Sequence, residues 1–178
     1  MKTLKDIFWE KGYDYFPTDK DTTHSYLDLY DNIFSELQSK EISMVEVGIS
    51  WGGSLRLWEN YFSNVDLWGV DIYNGIKMPI NTKNIIIKDI KQITPEDFNS
   101  TYFDIAVDDG SHILEDQIVF LQKLWPFIKK GGHLLIEDID NCELAKTEFE
   151  KLNIPFYIHD FRNKKNRWDD VIFHFIKN

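Results

Sequence analysis

Residues 44–54 read MVEVGISWGGS, and this stretch decides the fold. Met44 to Gly48 is a short apolar run closed by glycine, which predicts a buried strand. Gly48, Gly52 and Gly53 let the backbone turn tightly and approach a ligand before a helix opens. That helix is expected over Gly52–Phe62, with Leu55, Trp58 and Phe62 along one face. The glycine spacing is GxxxGG rather than GxGxxG, and no lysine follows, so neither a dinucleotide fingerprint nor a triphosphate loop is written here. Outward from this turn the same alternation continues. VDLWGVDI is a second strand ending at Asp71, NIIIK (84–88) a third and YFDIAV (102–107) a fourth. HLLIED is a fifth strand, PFYIH a sixth and DDVIFHFI a seventh.

Helices separate them. Leu27, Tyr30, Ile33, Phe34 and Leu37 recur at three- and four-residue steps, which predicts an amphipathic helix from His24. Leu114, Ile118, Leu121, Trp125 and Ile128 predict a long helix, closed by Lys129, Lys130 and Gly131-Gly132 as its C-cap. A further helix is expected over Asn141–Leu152, and Thr94 with Pro95 predicts a short helical start at TPEDF. The first 20 residues lack a period and read as a loop or short packed segment, and RNKKNR (162–167) as a solvated hairpin turn. Strands alternating with helices define an α/β class: a mostly parallel seven-stranded sheet with helices on both faces.

The 178 residues fit one domain, 1–178, with residues 1–40 as an N-terminal helical or lid segment and 41–178 as a Rossmann-like core. Lys+Arg number 20 against Asp+Glu 30, a net charge of −10, which argues against a nucleic-acid backbone or an anionic membrane as partner. Cys142 is the single cysteine, so no intramolecular disulfide or cysteine-based zinc site can form. The N-terminus has no continuous apolar core of a signal peptide, and no apolar run reaches membrane-spanning length. These features lead to the expectation of a cytoplasmic protein.

In open α/β sheets, ligands bind beyond the carboxyl ends of the strands, so the residues just after each strand carry the functional reading. Asp71 can accept both hydroxyls of a ribose, and Asp89 is placed to recognise an adenine amino group. Asp108, Asp109, Gly110, Ser111 and His112 follow the fourth strand, and Glu137-Asp138 follow the fifth. Neighbouring strands lie about 4.8 Å apart, so Asp109, Glu137 and Asp138 should crowd together. Crowded carboxylates repel unless protonated or bridged by a cation, and oxygen ligands suit Mg²⁺, Mn²⁺ or Ca²⁺. His112 is near enough to act as base on a metal-polarised hydroxyl, with Asp109 as its partner in catalysis. The simpler alternative is that Asp109 and Ser111 cap one helix and Asp138 the next.

EVGISWGGS, the strand-ending Asp71, IAVDDGSH and LLIEDID together resemble class I S-adenosylmethionine-dependent methyltransferases. In particular DDGSH and GGHLLIED are similar to the metal-dependent macrocin and mycinamicin sugar O-methyltransferases, as is the TDKDTTHSYLDLY run (18–30). The resemblance implies a Rossmann-like fold and an O-methyltransferase using S-adenosylmethionine and Mg²⁺ on a sugar or glycosylated small molecule. It implies that Glu46, Gly48 and Ser54 hold the methionine part of the cofactor, Asp71 its ribose and Asp89 its adenine side, with Asp108 at its edge. It implies Asp109, Glu137 and Asp138 as metal ligands and His112 as general base. Only residues 1–40 precede the first strand, where the antibiotic enzymes carry a large extra domain, so a differently built acceptor pocket is expected. The segment around Lys20 and His24, the Tyr73–Ile80 loop and the Arg162–Trp168 tail are the pieces expected to cover it. The acceptor would be a small-molecule or glycan hydroxyl, with homo-oligomerisation left open. A catechol-type O-methyltransferase, an NAD enzyme using Asp71 and a non-catalytic binding module are the competing readings.

Overall fold

A computed structural model describes residues 1–178. The sheet order is β3-β2-β1-β4-β5-β7-β6, built from β1 (Glu41–Val47), β2 (Asn64–Asp71), β3 (Asn84–Ile87), β4 (Phe103–Asp108), β5 (Ile128–Ile136), β6 (Phe156–Asp160) and β7 (Val171–Ile176). The first five strands pair in parallel, and β7 pairs antiparallel with both β5 and β6. The strand order reverses between β1 and β4, which opens a crevice at their carboxyl ends.

Side-chain alternation sorts the sheet into two cores. Ile42, Met44, Leu67, Ile105, Val107 and Leu135 pack to one side with α1 (Leu4–Lys11), α2 (Leu27–Phe34) and α3 (Gly53–Tyr61). Val45, Val47, Trp68, Val70, Ala106, Leu134 and Ile136 pack to the other with α4 (Leu114–Leu124) and α5 (Cys142–Glu150). Both faces are covered, which is why these strands read as continuous apolar runs.

One local expectation, a helix with its cap, is corrected. The helix predicted to run from Leu114 to Ile128 stops at Leu124, and Trp125–Phe127 form a 3₁₀ turn around Pro126, whose ring cannot continue the α-helical ladder. Gly131-Gly132 are therefore no helix cap; they lie within β5, where the pairing with β4 jumps from Phe103–Ile128 to Ile105–His133 as a bulge. Within the first 20 residues the short packed segment is α1, which starts on a capping box in which Thr3 and Asp6 each accept the other's backbone N–H. Its Leu4 and Phe8, with Phe16 beyond, are fully buried against α2. RNKKNR lies, as expected, in the mostly exposed connection between the antiparallel β6 and β7; within it Arg162–Lys165 form one helical turn, α6, whose Lys165 ammonium donates to the carbonyls of Asp21 and His24.

Candidate active site

The turn after β1 is built around Gly48, with φ +89°; a Cβ there would stand 1.8 Å from the Asp109 carbonyl oxygen. That close approach brings the β1 and β4 ends together and allows two short backbone bonds, Gly48 N–H to Val70 and Asp109 N–H to Val47, each 2.8 Å. Gly53 opens α3 directly against Pro17, whose carbonyl a Cβ would meet at 2.1 Å. Only glycine at both positions lets the turn sit between β4 and the segment before α2.

A cleft opens at the reversal point, lined by Gly48, Ser50, Asp71, Tyr73, Asp89, Ile90, Asp108 and Ser111, among others. Asp71 accepts the N–H groups of Ile49 and Ser50 on one oxygen and of Tyr73 on the other, each at 3.0 Å, so it ties the glycine turn to the end of β2. Asp89 caps the following 3₁₀ turn through Lys91 N–H at 2.8 Å. Burial pushes the Asp108 carboxyl up to about 7, against the pull of the Gly110 N–H it accepts. Glu46 and Ser54 stand behind this cleft rather than in its wall: the Ser54 hydroxyl donates to Glu46 at 2.8 Å and the Trp58 indole N–H at 3.1 Å.

Beside the cleft, one ligand atom each of Asp109, His112 and Asp138 lie within 4.8 Å of one another. His112 Nε2 is 3.5 Å from Asp109 Oδ1 and 3.3 Å from Asp138 Oδ2. The bond to Asp109 holds the imidazole above its ordinary pKa, and burial only partly opposes this. His112 (φ +59°) and Asp138 (φ +53°) both adopt left-handed backbone, strained for residues with side chains and common where function demands it. Glu137 belongs to the same loop, but its carboxylate turns inward, where Lys20 donates to both oxygens at 2.7 and 2.8 Å and the Tyr30 hydroxyl donates to one. Among the three acids expected together, Asp109 and the buried Asp138 thus turn toward the half-exposed His112, and Glu137 turns toward Lys20. Two carboxylates converging beside His112 are a donor set that fits Mg²⁺ or Mn²⁺, ions that keep several positions for water or substrate oxygen.

The segment ahead of α2, expected as a cover, instead supports the acids from within. Lys20 is wholly buried. Burial by itself would lower its pKa, but the charges of Asp109, Glu137 and Glu46 outweigh it and hold the ammonium protonated well above the usual range. Tyr26 donates to Asp138 Oδ1 at 2.6 Å, and His24 Nδ1 lies 3.1 Å from the same oxygen. Sequence reasoning missed these supporting roles. The visible signal was a lysine, a histidine and a tyrosine ahead of the periodic residues (Lys20, His24, Tyr26), with a second tyrosine, Tyr30, on the apolar face of the helix that follows.

Known proteins resemble the chain in sequence and in fold. No protein-family model matches the chain. Demethylmacrocin O-methyltransferase of Streptomyces fradiae is 31% identical over 126 residues, 65% of this chain and 32% of that protein. Mycinamicin VI 2''-O-methyltransferase of Micromonospora griseorubida is 28% identical over 133 residues, again 65% of this chain and 32% of that one. The chain therefore spans about a third of the length of the curated relatives it matches. Among solved structures, the MycE methyltransferase of the mycinamycin pathway, in complex with Mg, SAH and mycinamycin VI, superposes with a TM-score of 0.73 at 21% identity, covering 99% of this chain and 55% of that one. The chain thus has the fold of the class I methyltransferases and is similar in sequence, over about two thirds of its length, to macrocin- and mycinamicin-type sugar O-methyltransferases.

Proposed function

We propose that this protein is an S-adenosylmethionine-dependent O-methyltransferase, assisted by Mg²⁺ or Mn²⁺, that methylates a hydroxyl of a sugar or glycosylated small molecule. The observation that carries the reading is the contiguity of two features. The cleft bounded by Gly48, Asp71, Asp89 and Asp108 opens directly onto the Asp109–His112–Asp138 cluster. When bound, S-adenosylmethionine supplies an electrophilic methyl group, and the divalent cation acidifies the acceptor hydroxyl.

The chain's own residues would do the rest. The glycine turn and Asp71 orient the nucleoside part of the cofactor, with Asp71 already fixed by three backbone N–H groups. Asp109 and Asp138 would hold the cation and with it two neighbouring acceptor oxygens. His112 Nε2 takes the hydroxyl proton, and the carboxylates flanking it stabilise the resulting imidazolium. Alignment of nucleophile and methyl group supplies much of the rate, since the transfer needs no covalent help from the protein. Glu46 and Ser54, behind the cleft, act by holding the floor of the turn through Trp58 and Lys20.

The test is methyl transfer from labelled S-adenosylmethionine to a panel of vicinal-diol sugars and catechols, with Mg²⁺ and with chelator. Cation-dependent methylation of sugars is the expected result. Methylation confined to catechols would favour the catechol-type reading, and no cofactor binding by calorimetry would favour a binding module.

A further inference from the structure

The ammonium of Lys20 sits in a cage of three carboxylates, 2.7 Å from Asp109 Oδ2, 2.7 Å from Glu137 Oε2 and 3.3 Å from Glu46 Oε1, with no solvent exposure. Its hydrogen bonds go to Asp109 and to both oxygens of Glu137, and Glu46 adds an ion-pair contact, so three acids from the ends of β1, β4 and β5 surround it. Asp109 is shared: one oxygen faces Lys20, and the other faces His112 and the open side. The position is thus that of a cation site already filled by a side chain, adjoining the outward cluster through one bridging carboxylate.

We infer that Lys20 is a tethered counter-ion that sets how tightly the outward cluster binds a divalent cation. Resting on the metal reading of the proposed function, this inference assigns a specificity-determining role to a residue outside the cluster. The ammonium neutralises Glu137 and half of Asp109, so only Asp109 Oδ1 and Asp138 Oδ2, the oxygens beside His112, are left to attract a cation. It also repels a second positive charge at short range, an effect that grows in a poorly solvated site. A weakly held, readily exchanged cation follows, and so does a fold that is stable without one, since the inner acids never lack a partner. Lys20 further ties Glu46, beneath the glycine turn, to the cluster, so the turn and the cation ligands share one charge centre.

The experiment is Mn²⁺ titration of the full chain by calorimetry, with melting temperature recorded with and without Mn²⁺, for wild type, Lys20→Met, Lys20→Gln and Lys20→Arg. Lys20→Met is expected to bind Mn²⁺ roughly tenfold more tightly or better, and Lys20→Arg to stay within about threefold of wild type. Without metal, Lys20→Met should melt lower, and Mn²⁺ should raise its melting point far more than it raises that of wild type. Lys20→Gln, which keeps a donor to Glu137, should show the same ordering more weakly. If wild type binds Mn²⁺ and neither neutral variant binds it more tightly, the counter-ion role is wrong and the metal reading stands. If wild type does not bind but the neutral variants do, the counter-ion role holds and the metal-dependent reading of the wild-type chain fails. Absence of binding in every variant overturns both.

Discussion

Gly48 and Gly131 share a left-handed backbone, φ +89° and +79°, but not surroundings. A Cβ at Gly131 meets nothing within 4 Å, whereas at Gly48 it stands 1.8 Å from the Asp109 carbonyl oxygen, 2.4 Å from that carbonyl carbon and 2.7 Å from Gly110 Cα. Substituting alanine at either site therefore costs the conformational term, about 1–2 kcal/mol. At Gly48 the Asp109 peptide must also retreat by more than an ångström. That retreat strains the 2.8 Å bonds from Gly48 to Val70 and from Asp109 to Val47, each worth about 1 kcal/mol net. Gly48→Ala should thus lose about 3–4 kcal/mol and Gly131→Ala about 1–2, out of a typical total of about 5–15. Urea denaturation of both variants with unchanged slope measures the difference directly. Because the displaced peptide is that of Asp109, Gly48→Ala should also weaken Mn²⁺ and cofactor binding where it remains folded, while Gly131→Ala should not. Equal losses of stability in the two variants, with ligand binding intact in both, would refute the view that the β1 turn is locked against the β4 turn.

Three further outcomes are expected. His112→Ala should abolish methyl transfer while retaining S-adenosylmethionine binding by calorimetry, because His112 is proposed to handle the acceptor's proton and does not line the cofactor cleft. Tyr26→Phe removes the 2.6 Å bond to Asp138 and should cost about 1.5–3 kcal/mol and weaken Mn²⁺ binding; an unchanged melting point would show the bond to be idle. His174, on β7, shares ring-nitrogen contacts with His133 at 2.9 Å and His159 at 3.4 Å, and burial, aided by those two neighbours, pushes its pKa down to about 3. The unfolded chain binds this proton near pH 6.5, so stability is full above that and falls as the pH drops toward 3, by on the order of 4 kcal/mol at most. His174→Phe should flatten the denaturation free energy between pH 6.5 and 4 by about one proton's slope, and an unaltered pH profile would remove His174 from the cause.

Most of the sheet was legible because a strand covered on both faces must be apolar at consecutive positions, as Met44, Val45 and Val47 or Leu134, Leu135 and Ile136 are. The ends of those strands were legible for the same reason, since Asp71, Asp109 and Asp138 mark where the apolar runs stop and the loops begin. The β5 boundary was not. Leu121, Trp125 and Ile128 keep helical spacing across Pro126, and Lys129–Gly132 imitates a C-cap, whereas strand pairing with β4 claims those residues as a bulge. Spacing along the chain also could not separate Glu137 from Asp138: both are buried and adjacent, yet pairing geometry and the left-handed turn at Asp138 send one to Lys20 and the other to His112.

That divergence explains why the segment before α2 matters to the site. Glu46, Glu137 and Asp138 are almost fully buried, and an unpaired buried carboxylate costs several kcal/mol. Elements β1, β4 and β5 bring these acids together but supply little positive charge or donor capacity of their own toward them. The compensation comes from residues 20–30: the Lys20 ammonium for Glu137, Asp109 and Glu46, the Tyr30 hydroxyl for Glu137, and Tyr26 with His24 for Asp138. α1, α2 and Phe16 seat that segment in the same core as β1, and Lys165 of α6 holds the carbonyls of Asp21 and His24. The acids can therefore converge without a metal only because this segment is folded against them. Loosening it through the core, for example at Phe8 or Phe16, should disturb the charge cluster before it disturbs the sheet.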